Sequence, residues 1–427
     1  MVSLFMVSER SSYSLSLSHT NPKRLIKIMD NSFLSSHRSH STIWFDGRNI
    51  GRRNGTGVQY YAINHSNVTR ELGYSTAWLL ENVEGYSSLS IASRIIAALL
   101  SRAPTISNMF QSVWGDAFLA NDLYRVAHLH YRYHKRLLRL TPLSPPDIMH
   151  WTYPLPLFME GCKNVVTIHD IIPLTHPSLT GIDPTRFRRI LSSLIESPVH
   201  FVAVSETVRN QIINLLSVHP DRITTLYQPV EFSKQVRNSI SNAPRIAPAD
   251  SFVFYGRIEH RKNIERLLEA HALSGTKTPL ILIGPDGDDR PNYKPYGSSS
   301  QVIRLPWSNR FSLLRTLQES KALLFPSLAE GFGLPIIEAM SLGVPVLTSR
   351  GGVTEEISGD AAMLCDATNI VEMANCINIL DQLSENDKKR MIKAGLERAK
   401  FFSSNLYKRN ISSFYEKIKS YPSNTIL

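Results

Sequence analysis

Cysteine is scarce in this chain of 427 residues: there are three, Cys162, Cys365 and Cys376, odd in number, far apart and without a CxxC pair. That excludes a disulfide framework and a cysteine zinc site, and it suits a reducing, cytoplasmic compartment. Long apolar runs are also missing. The longest, around Leu89–Leu100, is interrupted by Ser90, Ser93 and Arg94 and falls short of the roughly 20 residues that a bilayer-spanning helix needs. Acidic residues are outnumbered, 36 against 47 Lys and Arg, so the formal net charge is +11 and an acidic partner is implied: nucleic acid, anionic lipid or a phosphorylated small molecule. No GxGxxG directly follows a strand pattern with an acidic residue about twenty positions on, which argues against a dinucleotide-dependent oxidoreductase. No stretch interleaves basic and aromatic residues on a recognised nucleic-acid module, so no nucleic-acid partner is expected.

What is present is a globular composition. Apolar residues make up 42%, enough for sizeable cores, and a prior of about 150 residues per domain gives two or three domains. The first 28 residues are Ser-rich and basic without the apolar core of a signal peptide; residues 1–40 are read as a disordered tail, with Met29 as an alternative start. From residue 43 the chain alternates strand and helix patterns. Candidate strands are Ile43–Asp46, Thr76–Leu80, Asp147–His150, Asn164–Ile168, Phe201–Val204 and Ile223–Tyr227, with helices at Thr185–Glu196 and Glu206–Ser217 between them. Several strands lack polar alternation, as expected when both faces of a parallel sheet are covered. The pattern breaks between Gln228 and Ala249, and residues 231–249 are read as a linker. A second series follows: strands near Phe252–Tyr255, Leu280–Ile283, Val302–Leu305, Ala322–Phe325 and Val344–Thr348, and helices near Ile264–Ala272, Phe311–Ser320 and Pro335–Ser341. Two α/β domains facing each other across a cleft are expected, at residues 41–230 and 250–404, with ligands beyond the carboxyl ends of the strands. A polar helix in residues 405–427 closes the chain and is expected to pack back on the N-terminal domain.

Two stretches of the second series carry chemistry. In "PSLAEGFGLPIIEAM", residues 326–340, Pro335 suits the first helical position and Leu334 before it cannot supply a side-chain cap. Backbone N–H groups at this helix start are then available to an anion, and Gly331 and Gly333 let a ligand approach the backbone. Glu338, expected in the first helical turn, lies eight residues after Glu330 and could accept hydrogen bonds from vicinal hydroxyls. An ordinary turn, with Glu338 merely complementing the helix dipole, is the competing reading. In "FYGRIEHRKNIERLLEAH", residues 254–271, Arg257 and Lys262 flank a helix entry whose expected N-cap is Asn263. Two cations at the carboxyl end of a strand suit a diphosphate, although a solvated pair at a helix start is the plainer alternative.

Taken together, the Gly-Arg and Lys-Asn stretch and, about seventy residues on, Pro-Ser…Glu-Gly-Phe-Gly-Leu-Pro…Glu resemble the C-terminal domain of the retaining nucleotide-sugar glycosyltransferases of family 4, the group 1 glycosyltransferases. The resemblance implies the GT-B fold of two Rossmann-like domains, the first on the acceptor side and the second binding the nucleotide-sugar. It implies that Arg257 and Lys262 bind the donor diphosphate. Glu330, with the amides of Gly331, Phe332, Gly333 and Leu334, would hold the donor sugar, and Glu338 the ribose. In "FDGRNIGRRNGTGVQYYA", residues 45–62, Gly55, Thr56 and Gly57 resemble the family's glycine loop for the donor phosphates, though a lone GTG also suits a flexible turn. In "VVTIHDIIPLTHP", residues 165–177, His169 resembles the family's histidine at the transferred sugar, with Asp170 orienting it or meeting the acceptor. Ser205 in "VAVSETVRNQI" is read as a helix N-cap.

Two features lie outside that pattern. "GPDGDDR", residues 284–290, contains an Asp-x-Asp that resembles the metal motif of another transferase fold, but a turn is expected at that place. The family implies no metal and no cofactor beyond the co-substrate. "YRYHKRLLRL", residues 131–140, is read as a helix with Arg132, Arg136 and Arg139 on one face, which either docks on anionic lipid or is solvated. The style of the N-terminal half resembles polysaccharide mannosyltransferases. A hexosyltransferase using GDP-mannose first, or UDP-glucose or another UDP-hexose second, is therefore expected. Its acceptor would be a growing glycan or polyprenol-linked oligosaccharide, and its place the cytoplasm, peripheral to the inner face of the plasma membrane. A catalytically silent sugar-nucleotide binder is the alternative from another class.

Overall fold

The computed structural model describes residues 41–50, 57–81, 89–293 and 302–421. Two large sheets organise the chain. The first draws on residues 42–225, its strands running from edge to edge in the order Ile223–Thr225, Val199–Ala203, Lys163–Ile168, Ile148–Trp151, Thr42–Asp46, Ser75–Leu80, Gly115–Leu119 and Phe110–Ser112. The last of these pairs antiparallel with its neighbour. The second sheet is parallel in every pair, in the order Val302–Leu305, Leu280–Ile283, Phe252–Tyr255, Ala322–Phe325, Val346–Ser349 and Met363–Cys365. The continuous apolar runs explain its centre. Every residue of Phe252–Tyr255, Leu280–Ile283 and Ala322–Phe325 is buried, because helices cover both faces. Phe254 and Phe325 stack across neighbouring strands with ring centroids 5.8 Å apart. Each such side chain contributes about 1.5–3 kcal/mol by leaving water.

The chain divides into two compact units. One holds the described residues up to Thr167, Ile190–His200 and those from Glu416; the other holds Ile168–Arg189 and Phe201–Tyr415. In the first unit, the end of the Ser404–Ser420 helix is tied down where the Tyr74 hydroxyl donates to Glu416 Oε1 at 2.8 Å and Lys163 donates to the Lys419 carbonyl. The antiparallel hairpin at Phe110–Leu119 escapes the sequence reading because its strands are short and hold Gly115 and Asp116.

One reading gains an element and another changes. The stretch read as a linker, residues 231–249, contains the helix Lys234–Asn242. Ser233 Oγ caps it by accepting from Val236 N, and Ile240 is buried beneath it. A single buried residue gives too little periodicity to read. Arg132, Arg136 and Arg139 do not share a helix face. The helix Leu123–His134 stops at Lys135, which takes a left-handed conformation with φ 54°, and Arg139 lies in the strand Leu138–Leu140 beside Glu160. Leu137, Leu138 and Leu140, all buried, fit a strand as well as a helix over so short a run.

Candidate functional site

The strands Phe252–Tyr255 and Ala322–Phe325 are parallel neighbours, so the loops leaving their carboxyl ends emerge side by side. Gly256 opens the first loop with φ 147°, and the chain then makes a single turn at His260–Lys262 before the helix Ile264–Leu273. The second loop runs from Pro326 to Gly333 and enters the helix Leu334–Ser341. The Leu328 amide donates to the Arg261 carbonyl at 2.8 Å, which joins the two loops. Asn263 does not cap its helix. It sits at φ 61°, and its amide nitrogen instead donates to the carbonyls of Pro326 at 3.2 Å and Ala367 at 2.7 Å, stitching the loops together from below.

Between these loops lies an alternating row of charges. Arg257 Nε is 3.6 Å from Glu259 Oε1, and Glu259 Oε2 accepts from Arg261 Nε at 2.7 Å. Arg261 Nη1 donates to Glu330 Oε2 at 2.9 Å, while Lys262 donates to Glu330 Oε1. Three cations thus share two anions, which leaves the row with one positive charge. The Lys262 and Glu330 side chains are only 8% and 7% exposed, so solvent screens their pair little. Burial, and Arg261 beside it, pull the Lys262 ammonium down to about 8. Burial alone would raise the Glu330 carboxyl, but Lys262 and Arg261 outweigh it and hold it at about 2. Lys262 Nζ also lies 4.5 Å from the centroid of the Phe325 ring, a cation–π contact.

Glu338 is held on a second carboxylate site. Tyr255, the last residue of its strand, donates to Glu338 Oε2, and Arg310 pairs with Oε1. Burial and then Glu338 keep the Tyr255 phenol well above its ordinary range, so it remains a donor. Glu338 is the fifth residue of the Leu334–Ser341 helix, not part of its first turn, because the helix begins at Leu334 with Pro335 second. Gly333 stands at the N-cap position with φ 93° and offers no side-chain cap, as the sequence implies.

The other candidate residues fall as follows. His169 follows the strand Lys163–Ile168 and is half-buried. Its carbonyl oxygen would lie 2.1 Å from a Cβ on Gly331, so this loop position admits only glycine without displacement. The Ser205 hydroxyl, which accepts from Val208 N as the cap of the helix Glu206–Leu216, donates to the Gly331 carbonyl at 3.1 Å. Asp170 accepts from the Ile172 amide at 3.1 Å, and burial raises its carboxyl against the influence of that amide and Arg261. The Phe332 side chain is core, its ring 5.8 Å from Phe402 and 6.4 Å from Tyr227, so only its backbone can serve a ligand. Leu334 is half-buried at the helix start. Gly57 opens the helix Gly57–Glu71, with no heavy atom within 4 Å of an added Cβ; Gly55 and Thr56 lie outside the described residues. Arg257 reaches the Asp286 carbonyl at 3.2 Å rather than Glu330. Asp286 forms an isolated parallel bridge with Ile258 and its Oδ1 pairs with Arg304 at 3.0 Å, while Asp288 stands at a bend and its Oδ1 accepts from His260 N at 3.1 Å.

Arg261, Tyr255 and Arg310 are the contributors that spacing alone does not mark. Arg261 stands directly before Lys262 and could have been weighed with it, whereas Arg310 lies 28 residues from its partner Glu338 with no motif between them.

Comparison with known proteins adds to this geometry. A family model described as "Glycosyl transferases group 1" matches residues 238–398, and one described as "Glycosyltransferase Family 4" matches residues 56–234. The O-antigen chain mannosyltransferase B of Escherichia coli is 32% identical over 256 residues, a match spanning 56% of this chain and 67% of that one. The O-antigen chain mannosyltransferase RfbU of Salmonella typhimurium is 23% identical over 347 residues, spanning 78% of this chain and 89% of that one. Among solved structures, sucrose-phosphate synthase from Thermosynechococcus elongatus superposes with a TM-score of 0.63 at 15% identity, covering 89% of this chain and 99% of that one.

Proposed function

Because the chain belongs to the group 1, family 4 glycosyltransferases and shares their GT-B fold of two Rossmann-like domains, we propose that it transfers mannose from GDP-mannose to a hydroxyl of a growing, lipid-linked glycan, with retention at the anomeric carbon. The charged row Arg257–Glu259–Arg261–Glu330–Lys262, buried at its Lys262–Glu330 end, beside the start of an uncapped helix is the observation that carries this reading. A departing nucleoside diphosphate needs cations and amides fixed before it arrives, and preorganised donors of this kind are each worth about 3–4 kcal/mol in the transition state. Glu338, with both oxygens oriented by Tyr255 and Arg310, is assigned to the ribose. Glu330 and the amides of residues 331–334 are assigned to the sugar, and His169 to its far side. The names of the two curated relatives support mannose as the sugar.

In the reaction, the bond between the anomeric carbon and the β-phosphate oxygen breaks and its electrons stay on the phosphate. The acceptor oxygen forms the new bond on the same face and passes its proton to that phosphate oxygen. Lys262 and Arg257 hold the charge that gathers there. No resident cofactor or metal is required.

A panel of GDP-, UDP- and dTDP-sugars, incubated with the protein with and without EDTA, tests the proposal. Release of GDP from GDP-mannose, undiminished by EDTA, is expected. Turnover of UDP-hexoses alone would reassign the donor, and turnover of none would leave only a sugar-nucleotide binder.

A further inference from the structure

One motif has no part in the chemistry above: Asp286-Gly287-Asp288, which lies against the loop that carries Arg257 and Lys262. The strands Phe252–Tyr255 and Leu280–Ile283 are parallel neighbours, and each is followed by a glycine of positive φ, 147° at Gly256 and 148° at Gly284. Their pairing continues past the strands. The Ile258 amide donates to the Pro285 carbonyl at 3.0 Å, and the Asp289 amide donates to the Ile258 carbonyl at 3.4 Å. Arg257 Nη1 reaches the Asp286 carbonyl between them. The two loops thus satisfy each other's backbone groups where no strand does so.

Their approach leaves no room for side chains. A Cβ on Gly284 would lie 2.0 Å from the Gly256 carbonyl oxygen. One on Gly287 would lie 2.2 Å from the Ile258 carbonyl oxygen and 2.9 Å from the Cγ atoms of both Arg257 and Glu259. The segment is braced as well as close. Arg304 Nη2 donates to the Gly284 carbonyl and to Asp286 Oδ1, and Arg290 Nη1 donates to the Gly287 carbonyl at 2.8 Å. Residues 284–289 therefore form a fixed support against which the stems of Arg257 and Glu259 rest.

The turn His260–Lys262 presents Arg261 and Lys262, and its first amide needs an acceptor. Glu259 stands at the N-cap position but gives no side-chain cap, because its two oxygens face Arg257 and Arg261. Asp288 supplies the cap from the neighbouring loop: its Oδ1 accepts from His260 N at 3.1 Å. Beside it, Oδ1 of the buried Asp289 lies 3.2 Å from His260 Nδ1. We propose that Asp288 is a positioning residue for the donor diphosphate, capping the turn that carries Arg261 and Lys262 from a segment pressed against Arg257. It acts through the His260 backbone and requires no metal. The proposal rests on the reading of Arg257 and Lys262 as the diphosphate ligands, so those ligands are tested beside it.

The test is titration calorimetry of the full chain with GDP, with and without EDTA. Asp288→Ala should weaken GDP about fivefold, the worth of a lost cap. Asp288→Asn and Asp288→Ser keep a capping oxygen and should bind within about twofold of wild type. Asp286→Ala should too, since it keeps the carbonyl that Arg257 uses and loses only an exposed side chain's pair with Arg304, worth about twofold at most. With Lys262→Ala already in place, Asp288→Ala should cost less than about twofold more, because the ammonium it positions is gone. A general loss of stability would not couple to Lys262 in this way. Asp288→Ala that binds GDP like wild type overturns the proposal, as do equal losses in the two backgrounds. Losses in Asp288→Asn and Asp286→Ala as large as in Asp288→Ala, with wild-type binding weakened by EDTA, would overturn it in favour of a metal site. Lys262→Ala that binds GDP like wild type would sink the diphosphate assignment and the proposal with it, whereas a large loss there beside a silent Asp288→Ala sinks the proposal alone.

Discussion

Replacing Glu330 by glutamine keeps the shape of the side chain and removes the one charge that Arg261 and Lys262 share. Arg261 retains Glu259 at 2.7 Å, so the loss falls on Lys262, which keeps no carboxylate partner and lies almost out of reach of water. Removing one member of a buried ion pair costs about 3–5 kcal/mol, and the surviving Glu259 contact places this case at the lower end, about 3 kcal/mol. The carboxyl itself gives a similar figure. Its shift from an ordinary 4.5 to about 2 corresponds to about 3 kcal/mol of native-state preference for the ionised form. For a unit of this size, calorimetry at neutral pH should show the transition falling by roughly 6–12 °C. Because the native pKa lies below the unfolded one, the wild type gains this stability above pH 4.5 and loses it as the pH falls toward 2, whereas Glu330→Gln lacks that acid limb. Saturating GDP should restore most of the loss, since its diphosphate replaces the missing anion, while mannose transfer stays at least about a hundredfold down. A transition within 2 °C of wild type, on the scale of roughly 2–4 °C per kcal/mol, or one that GDP does not raise, would refute the reasoning.

Lys262→Ala should lower turnover of GDP-mannose by about 10²- to 10³-fold, read as GDP release under saturating donor. Lys262, held at about 8, loses its proton as the pH rises through that value, so GDP affinity measured by calorimetry should be flat below pH 8 and fall about tenfold per unit above it. Lys262→Arg should flatten that limb, because guanidinium stays charged. Gly331→Ala places a Cβ 2.1 Å from the His169 carbonyl oxygen, and should lower both the melting transition and donor affinity, whereas Gly57→Ala, with open space around it, should leave the transition unchanged or slightly higher.

Much of this arrangement is legible in the residues. The second sheet reads easily because FVFY, LILI and ALLF are continuous apolar runs, and parallel strands covered on both faces leave that signature. The glycines between Glu330 and Glu338 likewise announce a helix start without a side-chain cap, where Gly333 stands at the N-cap position. What the sequence hides is pairing across distance. The partner of Lys262 is Glu330, 68 residues away, and Arg257, five residues from Lys262, turns instead to the Asp286 carbonyl. Asn263 shows the same limit: its type suggests a cap, but two carbonyls 63 and 104 residues distant outbid the local amides. The basic run at residues 131–140 misleads because helix and strand periods cannot be told apart over ten residues, and the left-handed Lys135 that divides it carries no glycine to betray the turn.

The most direct measurement is a crystal structure of the protein grown with GDP-mannose. The diphosphate should lie within hydrogen-bond distance of Lys262 Nζ and the Arg257 guanidinium, with the sugar on Glu330 and the amides of residues 331–334 and the ribose hydroxyls on Glu338. A nucleotide bound elsewhere, with the Lys262–Glu330 pair closed and out of its reach, would contradict the assignment of this site.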